Sequence, residues 1–290
     1  MHRQLTIAGR SPATIRNYLS YLAKIGLRYH EIPVHLSTEQ IHNYLYDTLA
    51  QRPTPSESFF KLTVYALRFA FRAMGMTGRL VELPKIAHEK RLPVVLNREE
   101  IRKMLDLCTN PKHRLIMELL YGCGLRNSEM RSLQRGDLDF ERKTLHVRGG
   151  KGRRDRYVAM GERLSRSLSD YLERGAVDGF VFTARMSRRG TNGQYSVRGL
   201  QWIIHQAAAK AGIAKRVSVH TLRHTYATHL LDLGLDILTI KHLLGHADIN
   251  NTLIYLHVSQ LGRKPPFSPL DRLDRENVPM HHCPFVQVCP

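Results

Sequence analysis

The sequence predicts a mainly α-helical chain with one small antiparallel β-sheet, divided between two domains. Three observations predict it. Apolar residues recur at helical spacing along most of the chain, and the period drops to two only once, around Gly149-Gly150-Lys151-Gly152. An aperiodic run at residues 79–95, containing Pro84 and Pro93, separates two periodic regions.

The first third reads as helices. Ser11 followed by Pro12 is a cap and a first-turn residue, leading into Ile15, Tyr18, Leu19, Leu22 and Ile25, with Gly26 as the stop. Ser37 with Gln40 resembles a capping box ahead of Ile41, Tyr44, Leu45 and Leu49. A longer helix is predicted from about Ser56 to Met74, with Phe59, Leu62, Ala66 and Phe69 on its buried side. Three or four such helices with basic outer faces make a small bundle over residues 1–80, followed by a linker at 81–95.

The second domain is expected over 96–264. Asn97 with Glu100 caps a helix carrying Ile101, Met104, Leu105 and Cys108, and another runs from Pro111 through Tyr121 to a break at Gly122 and Gly124. Leu145 and Val147, the glycine-rich turn, then Tyr157 and Val158 read as a hairpin. Helical spacing resumes at 161–174 and 197–211, and residues 219–257 read as three short helices separated by Gly234 and by Gly245-His246. The proline-rich tail, 265–290, is expected to be flexible.

Charge narrows the function. The 290 residues hold 44 Lys+Arg against 25 Asp+Glu, a net charge of +19. Residues 1–90 carry 12 basic and 6 acidic side chains, and residues 91–264 carry 30 and 16. A surplus spread over both domains points to a polyanion, and 32 of the 44 cations are arginines, whose planar fork suits phosphate. No uncharged apolar stretch nears the ~20 residues of a membrane span. Met1 to Arg10 lacks the apolar core of a secretory signal, and four cysteines make no disulfide framework, so a reducing cytoplasm is expected.

Four clusters place cations or polar donors at breaks between elements. They are Gly124-Leu125-Arg126-Asn127-Ser128-Glu129; Lys151 with Arg153, Arg154 and Arg156; His220-Thr221-Leu222-Arg223-His224; and Leu244-Gly245-His246 with Tyr255 nine positions on. Metal-free cleavage of a phosphodiester needs a nucleophile, cations on the non-bridging oxygens and a proton for the leaving oxygen. Arginines can clamp the oxygens, a lysine or histidine can give the proton, and a tyrosine with cations nearby can attack. Two-metal chemistry would need clustered carboxylates, and only Glu129 and isolated aspartates lie near these motifs.

The ordered set Arg126, Lys151, His220-x-x-Arg223, His246 and Tyr255 resembles the active site of the tyrosine recombinases, the phage-integrase and Xer-type family, over roughly residues 5–260. The resemblance implies an N-terminal helical core-binding (SAM-like) domain and a catalytic domain that clamp duplex DNA from opposite sides. It implies that Arg126 and Arg223 hold the scissile phosphate and that Lys151 is the acid toward the 5′ oxygen. His220 would assist as acid or base, His246 would hydrogen-bond the phosphate, and Tyr255 would form a 3′-phosphotyrosine link. Glu129 would support the site, and Arg153, Arg154 and Arg156 are read as a DNA-contacting face. Neither metal, ATP nor another cofactor is implied. Four protomers would act on two duplexes, with a segment within about 258–275 docking on a neighbour.

Two features depart from the family pattern. Val158-Ala159-Met160 lacks the proline common near the end of the second hairpin strand, and the tail from Pro265 is unlike the usual ending. The tail favours a mobile-element integrase, active in integration and excision, over chromosome dimer resolution. A DNA-binding regulator that keeps the fold without turnover, or a relaxing topoisomerase, are the alternatives. His281, His282, Cys283 and Cys289 match no standard zinc spacing, so no metal is expected there. Cys108 and Cys123 are expected as buried thiols, and Arg188-Arg189-Gly190 as a basic loop.

Overall fold

The computed structural model describes residues 1–50, 57–76, 78–79, 81–82, 92–149, 155–175, 179–184 and 193–259. Most of the expected linker, the hairpin turn 150–154, the Arg188-Arg189-Gly190 stretch and the whole tail with its histidines and cysteines lie outside them. Two units, Met1–Lys90 and Arg91–Pro290, divide the chain. No described helix is long and apolar enough to cross a membrane.

The first unit holds α1 (His2–Ile7), α2 (Pro12–Tyr29), α3 (Thr38–Ala50) and α4 (Glu57–Ala73). The Ser11 side chain accepts from Thr14 N at 3.2 Å and opens α2, and Ser37 and Gln40 bond reciprocally ahead of α3 at 2.7 and 3.1 Å. One core joins Ile15, Leu22 and Ile25 of α2, Ile41 and Leu45 of α3, and Phe60, Leu67 and Phe71 of α4. The short α1 escapes sequence reading because six residues show less than two turns of period; fully buried Leu5 ties it to that core. Past α4, Arg79 lies over the Phe71 ring and donates to the carbonyls of Val34 and Leu36.

The second unit runs α5 (Arg98–Asp106), α6 (Pro111–Gly122), α7 (Asn127–Ser132), β1 (Leu138–Asp139), β2 (Thr144–Val147), β3 (Arg156–Ala159), α8 (Glu162–Glu173), α9 (Val197–Lys210), α10 (Val219–Asp232), α11 (Ile237–Leu244) and α12 (Asn250–Leu253). A 3₁₀ turn, Ile254–His257, follows. The predicted hairpin is present as β2 and β3, and β1 adds a third antiparallel strand in the order β1-β2-β3. The register pairs Leu145 with Val158 and His146 with Tyr157. The core face therefore carries Leu145, Val147 and Val158, while the His146 and Tyr157 rings stack on the other face at 4.7 Å.

α10 is the structural axis of this unit, packed on α6, α9, α11 and the 3₁₀ turn. Burial on nearly every side explains its lack of a clean polar stripe. Thr221 and Thr225 along it make hydrogen bonds that burial demands. Thr225, fully buried, donates to Thr221 O at 2.8 Å and accepts the Leu96 N–H at 3.1 Å. Thr225→Val keeps the shape but orphans that amide, so the melt should shift by about 1–3 kcal/mol. Equal melting midpoints for variant and wild type would contradict this account. Cys123 is buried, with its thiol pushed up to about 12 by desolvation, and Cys108 is half-buried.

Candidate active site

Glu129 is the anchor of the site. Arg126 has extended backbone ahead of α7, and three residues on, Glu129 reaches back to accept the Arg126 N–H at 2.8 Å. The same carboxylate accepts from Arg126 Nη1 at 2.6 Å. Arg156 meets it with both terminal nitrogens, at 2.9 and 2.8 Å, and Arg223 Nη1 stands 3.9 Å away. Burial pushes the Glu129 carboxyl up, but the hydrogen bonds and charges of Arg156 and Arg126 more than reverse that and hold it down at about 2.

Arg156 occupies a different place from the one expected. Its side chain is 8% exposed, and its Nε donates to Leu243 O at 2.8 Å, so its guanidinium faces the protein and not a DNA surface. The cause is strand parity: Arg156 lies two residues from buried Val158 and pairs with buried Val147, on the inward face. Alternation along Arg156-Tyr157-Val158 already carried that signal.

The two other guanidinium groups are held by backbone carbonyls. Arg223, 4% exposed, donates to Gly124 O at 2.6 Å and Leu244 O at 2.5 Å. Arg126, 16% exposed, donates to Gly245 O at 2.9 Å. One carboxylate and two consecutive carbonyls thus gather both arginines, and each keeps donors for a further acceptor. Gly245 can present its carbonyl there because it closes α11 in the left-handed region, at φ 61°. Burial and Arg126 lower the Arg223 guanidinium to about 10, still protonated at neutral pH.

The histidines and the tyrosine complete the cluster. His220, Arg223 and His224 share one face of α10 through their i, i+3 and i+4 spacing. His246, just past α11, is fixed by Nδ1 against Thr252 Oγ1 at 2.9 Å. Tyr255 sits on the 3₁₀ turn, 1% exposed, with its hydroxyl 3.1 Å from His224 Nδ1. Burial raises the Tyr255 phenol, while Arg223 and Arg126 pull it back part of the way. His246 and His224 are lowered to about 4, and His220 is lowered too, in each case by burial first. The arginines add to the effect on all three. His224 and His246 are therefore neutral at pH 7, and His220 is shifted toward the neutral form.

Five of the six expected catalytic side chains, with Glu129, therefore come together: Arg126, His220, Arg223, His246 and Tyr255. Lys151, Arg153 and Arg154 lie outside the described residues. The roots of their hairpin are described: Asp155 accepts the Gly149 N–H at 2.8 Å and meets His146 Nε2 at 3.1 Å. Sequence reasoning missed His224 and Thr252 as site residues. The spacing of His224 from His220 was a usable signal; the contact of Thr252, six positions after His246, needed the α12 fold-back.

The cluster offers two fixed guanidinium groups, imidazoles and a buried phenol in mutual reach, with the Glu129 carboxylate paired to its arginines. Comparison with known proteins agrees. The phage integrase family matches residues 94–261, more than half of the chain. A tyrosine recombinase XerA from Thermococcus onnurineus (strain NA1) is 37% identical over 257 residues, covering 88% of each chain. An integrase/recombinase from Escherichia coli is 32% identical over 289 residues, covering 85% of each. Among solved structures, a crystal structure of XerA recombinase superposes with a TM-score of 0.53 at 25% identity, covering 92% of this chain and 97% of that one. By its fold, its gathered arginines and these likenesses, the chain belongs to the phage integrase family of tyrosine recombinases.

Proposed function

We propose that the chain is a site-specific DNA recombinase that cuts and rejoins strands through a 3′-phosphotyrosine link on Tyr255. The observation that carries this is the junction of Arg126 and Arg223, pinned by Glu129, Gly124 O, Leu244 O and Gly245 O, with the buried Tyr255 phenol within their electrostatic reach. The arginines hold the non-bridging oxygens and favour the charge that grows on them during attack. The Tyr255 oxygen forms the bond to phosphorus, the bond to the 5′ oxygen breaks, and Lys151 supplies the leaving oxygen's proton. His246 and His220 add polar contacts to the phosphate. Attack by another strand's 5′ hydroxyl on the phosphotyrosine reverses the chemistry, so the ester's energy is kept and neither ATP nor metal enters. Four copies acting on two duplexes, joined through the segment after Tyr255, would exchange the strands.

Between the two biological roles, relatives named XerA at 32–37% identity favour the Xer-type, dimer-resolving reading. The mobile-element reading rests on the tail, which lies outside the described residues.

DNA from the source genome, sheared and nicked so that the 5′ fragment beside a cleavage point diffuses away, should trap a protein–DNA adduct with its peptide linked at Tyr255. Tyr255→Phe should trap none. Equal trapping by Tyr255→Phe would end the proposal, and binding without any adduct would favour the regulator. Sequencing the trapped DNA supplies the target duplex.

A further inference from the structure

We propose that His224 is the base that takes the phenol proton of Tyr255 as the tyrosine oxygen attacks phosphorus. This rests on the assignment of Tyr255 as nucleophile. A phenol that is 1% exposed must hand its proton to a group already touching it, and the hydroxyl meets His224 Nδ1 at 3.1 Å. The other histidines are placed differently. His246 Nδ1 is engaged by Thr252, and the His220 ring, one turn before His224 at the start of α10, stands 6.4 Å from the His224 ring. With the phenol O–H donating to Nδ1, the imidazole carries its own hydrogen on Nε2.

The surroundings make this base dependent on substrate. His224 faces His220 and Arg223 from α10 and His246 from beyond α11; Arg126, Glu129 and Arg156 complete the cluster around Arg223. In the free protein, burial, then His220 and the charge of Arg223, keep the imidazole neutral, its lone pair on the phenol and its proton affinity low. A phosphodiester seated on Arg126 and Arg223 brings a negative charge to those same cations, and attack adds a second. Both raise the proton affinity of His224 at the moment it is needed. The proton leaves Oη for Nδ1 while Oη–P forms and P–O5′ breaks, and the resulting imidazolium returns it to the phenolate when a 5′ hydroxyl displaces the tyrosine. Cleavage and rejoining therefore balance without an outside base.

The test uses the full-length chain and the trapped target duplex, made with either oxygen or sulfur at the bridging 5′ position. A thiolate leaves without a proton, so the sulfur duplex silences the acid step and isolates the base. His224→Ala should slow single-turnover cleavage about 100-fold on both duplexes at pH 7, whereas Lys151→Ala should be slow on the oxygen duplex alone. Added imidazole should speed His224→Ala in proportion to its free-base concentration. His224→Gln, which can accept a hydrogen bond but not a proton, should stay slow. Full activity in His224→Gln, recovery of His224→Ala on the sulfur duplex, or cleavage by His224→Ala at or above the wild-type rate would each overturn the proposal. The last of these would make the contact a latch on the tyrosine. Should Tyr255→Phe form adduct as well, the nucleophile assignment itself falls; a dead Tyr255→Phe beside an unaffected His224→Ala removes only the base.

Discussion

Glu129→Gln is expected to lower stability by about 3–5 kcal/mol, because it leaves buried arginines without their counter-charge. The contacts and the depressed pKa, two consequences of one arrangement, agree on that scale. The carboxylate is 4% exposed and accepts three guanidinium hydrogen bonds, one from Arg126 and two from Arg156, so solvent screens little of the interaction. Its pKa, held at about 2 against an ordinary 4.5, corresponds to about 3 kcal/mol by linkage. The sign follows from that depression. The stabilisation is complete above pH 4.5 and is lost as pH falls from there toward 2. Urea melts between pH 7 and pH 2.5 should therefore show a steep acid limb in the wild type and a much shallower one in Glu129→Gln. Cleavage should suffer as well, by a hundredfold or more, since an unpinned Arg126 no longer presents fixed donors to the developing charge. A variant that melts within 1 kcal/mol of wild type at pH 7, with an unchanged acid limb, would remove Glu129 from the centre of the site.

Much of this arrangement was legible in the sequence, for identifiable reasons. The helices from Ser11 and Asn97 announced themselves through caps that satisfy end amides, and these caps are present. Arg126, His246 and Tyr255 could be singled out because they sit at breaks between periodic segments, and His220 and Arg223 because they open a helix after one. What stayed hidden was the direction in which donors point. Arg153, Arg154 and Arg156 look alike as a run of cations, yet pairing of Arg156 with Val147 sends it inward to Glu129. His224 was passed over because a histidine beside a chosen arginine looks redundant; only the return of the chain from α11 to the 3₁₀ turn sets Tyr255 against it. The third strand, two residues long, is defined by its partner and not by its own pattern.

Gly124→Ala should be the most damaging single methyl in the second unit. Gly124 lies at φ 58°, and a Cβ there would stand 2.4 Å from Tyr226 Cδ1 and 2.7 Å from Cε1. The left-handed backbone and the forced displacement of a buried ring together cost roughly 2–5 kcal/mol. Gly149→Ala separates the two contributions. It shares the φ of 58° but has nothing within 4 Å of its Cβ, so only the backbone part, about 1–2 kcal/mol, should appear. The damage also reaches chemistry, because Gly124 O accepts Arg223 Nη1 at 2.6 Å, and a shift near 1 Å in that guanidinium slows cleavage on the order of 100-fold. Removing the ring should uncouple these effects. In a double-mutant cycle, Gly124→Ala combined with Tyr226→Ala should lose at least about 1 kcal/mol less than the sum of the two single variants. Strict additivity would mean that the ring yields without strain, and that the close approach of Gly124 to Tyr226 does not hold Arg223 in place.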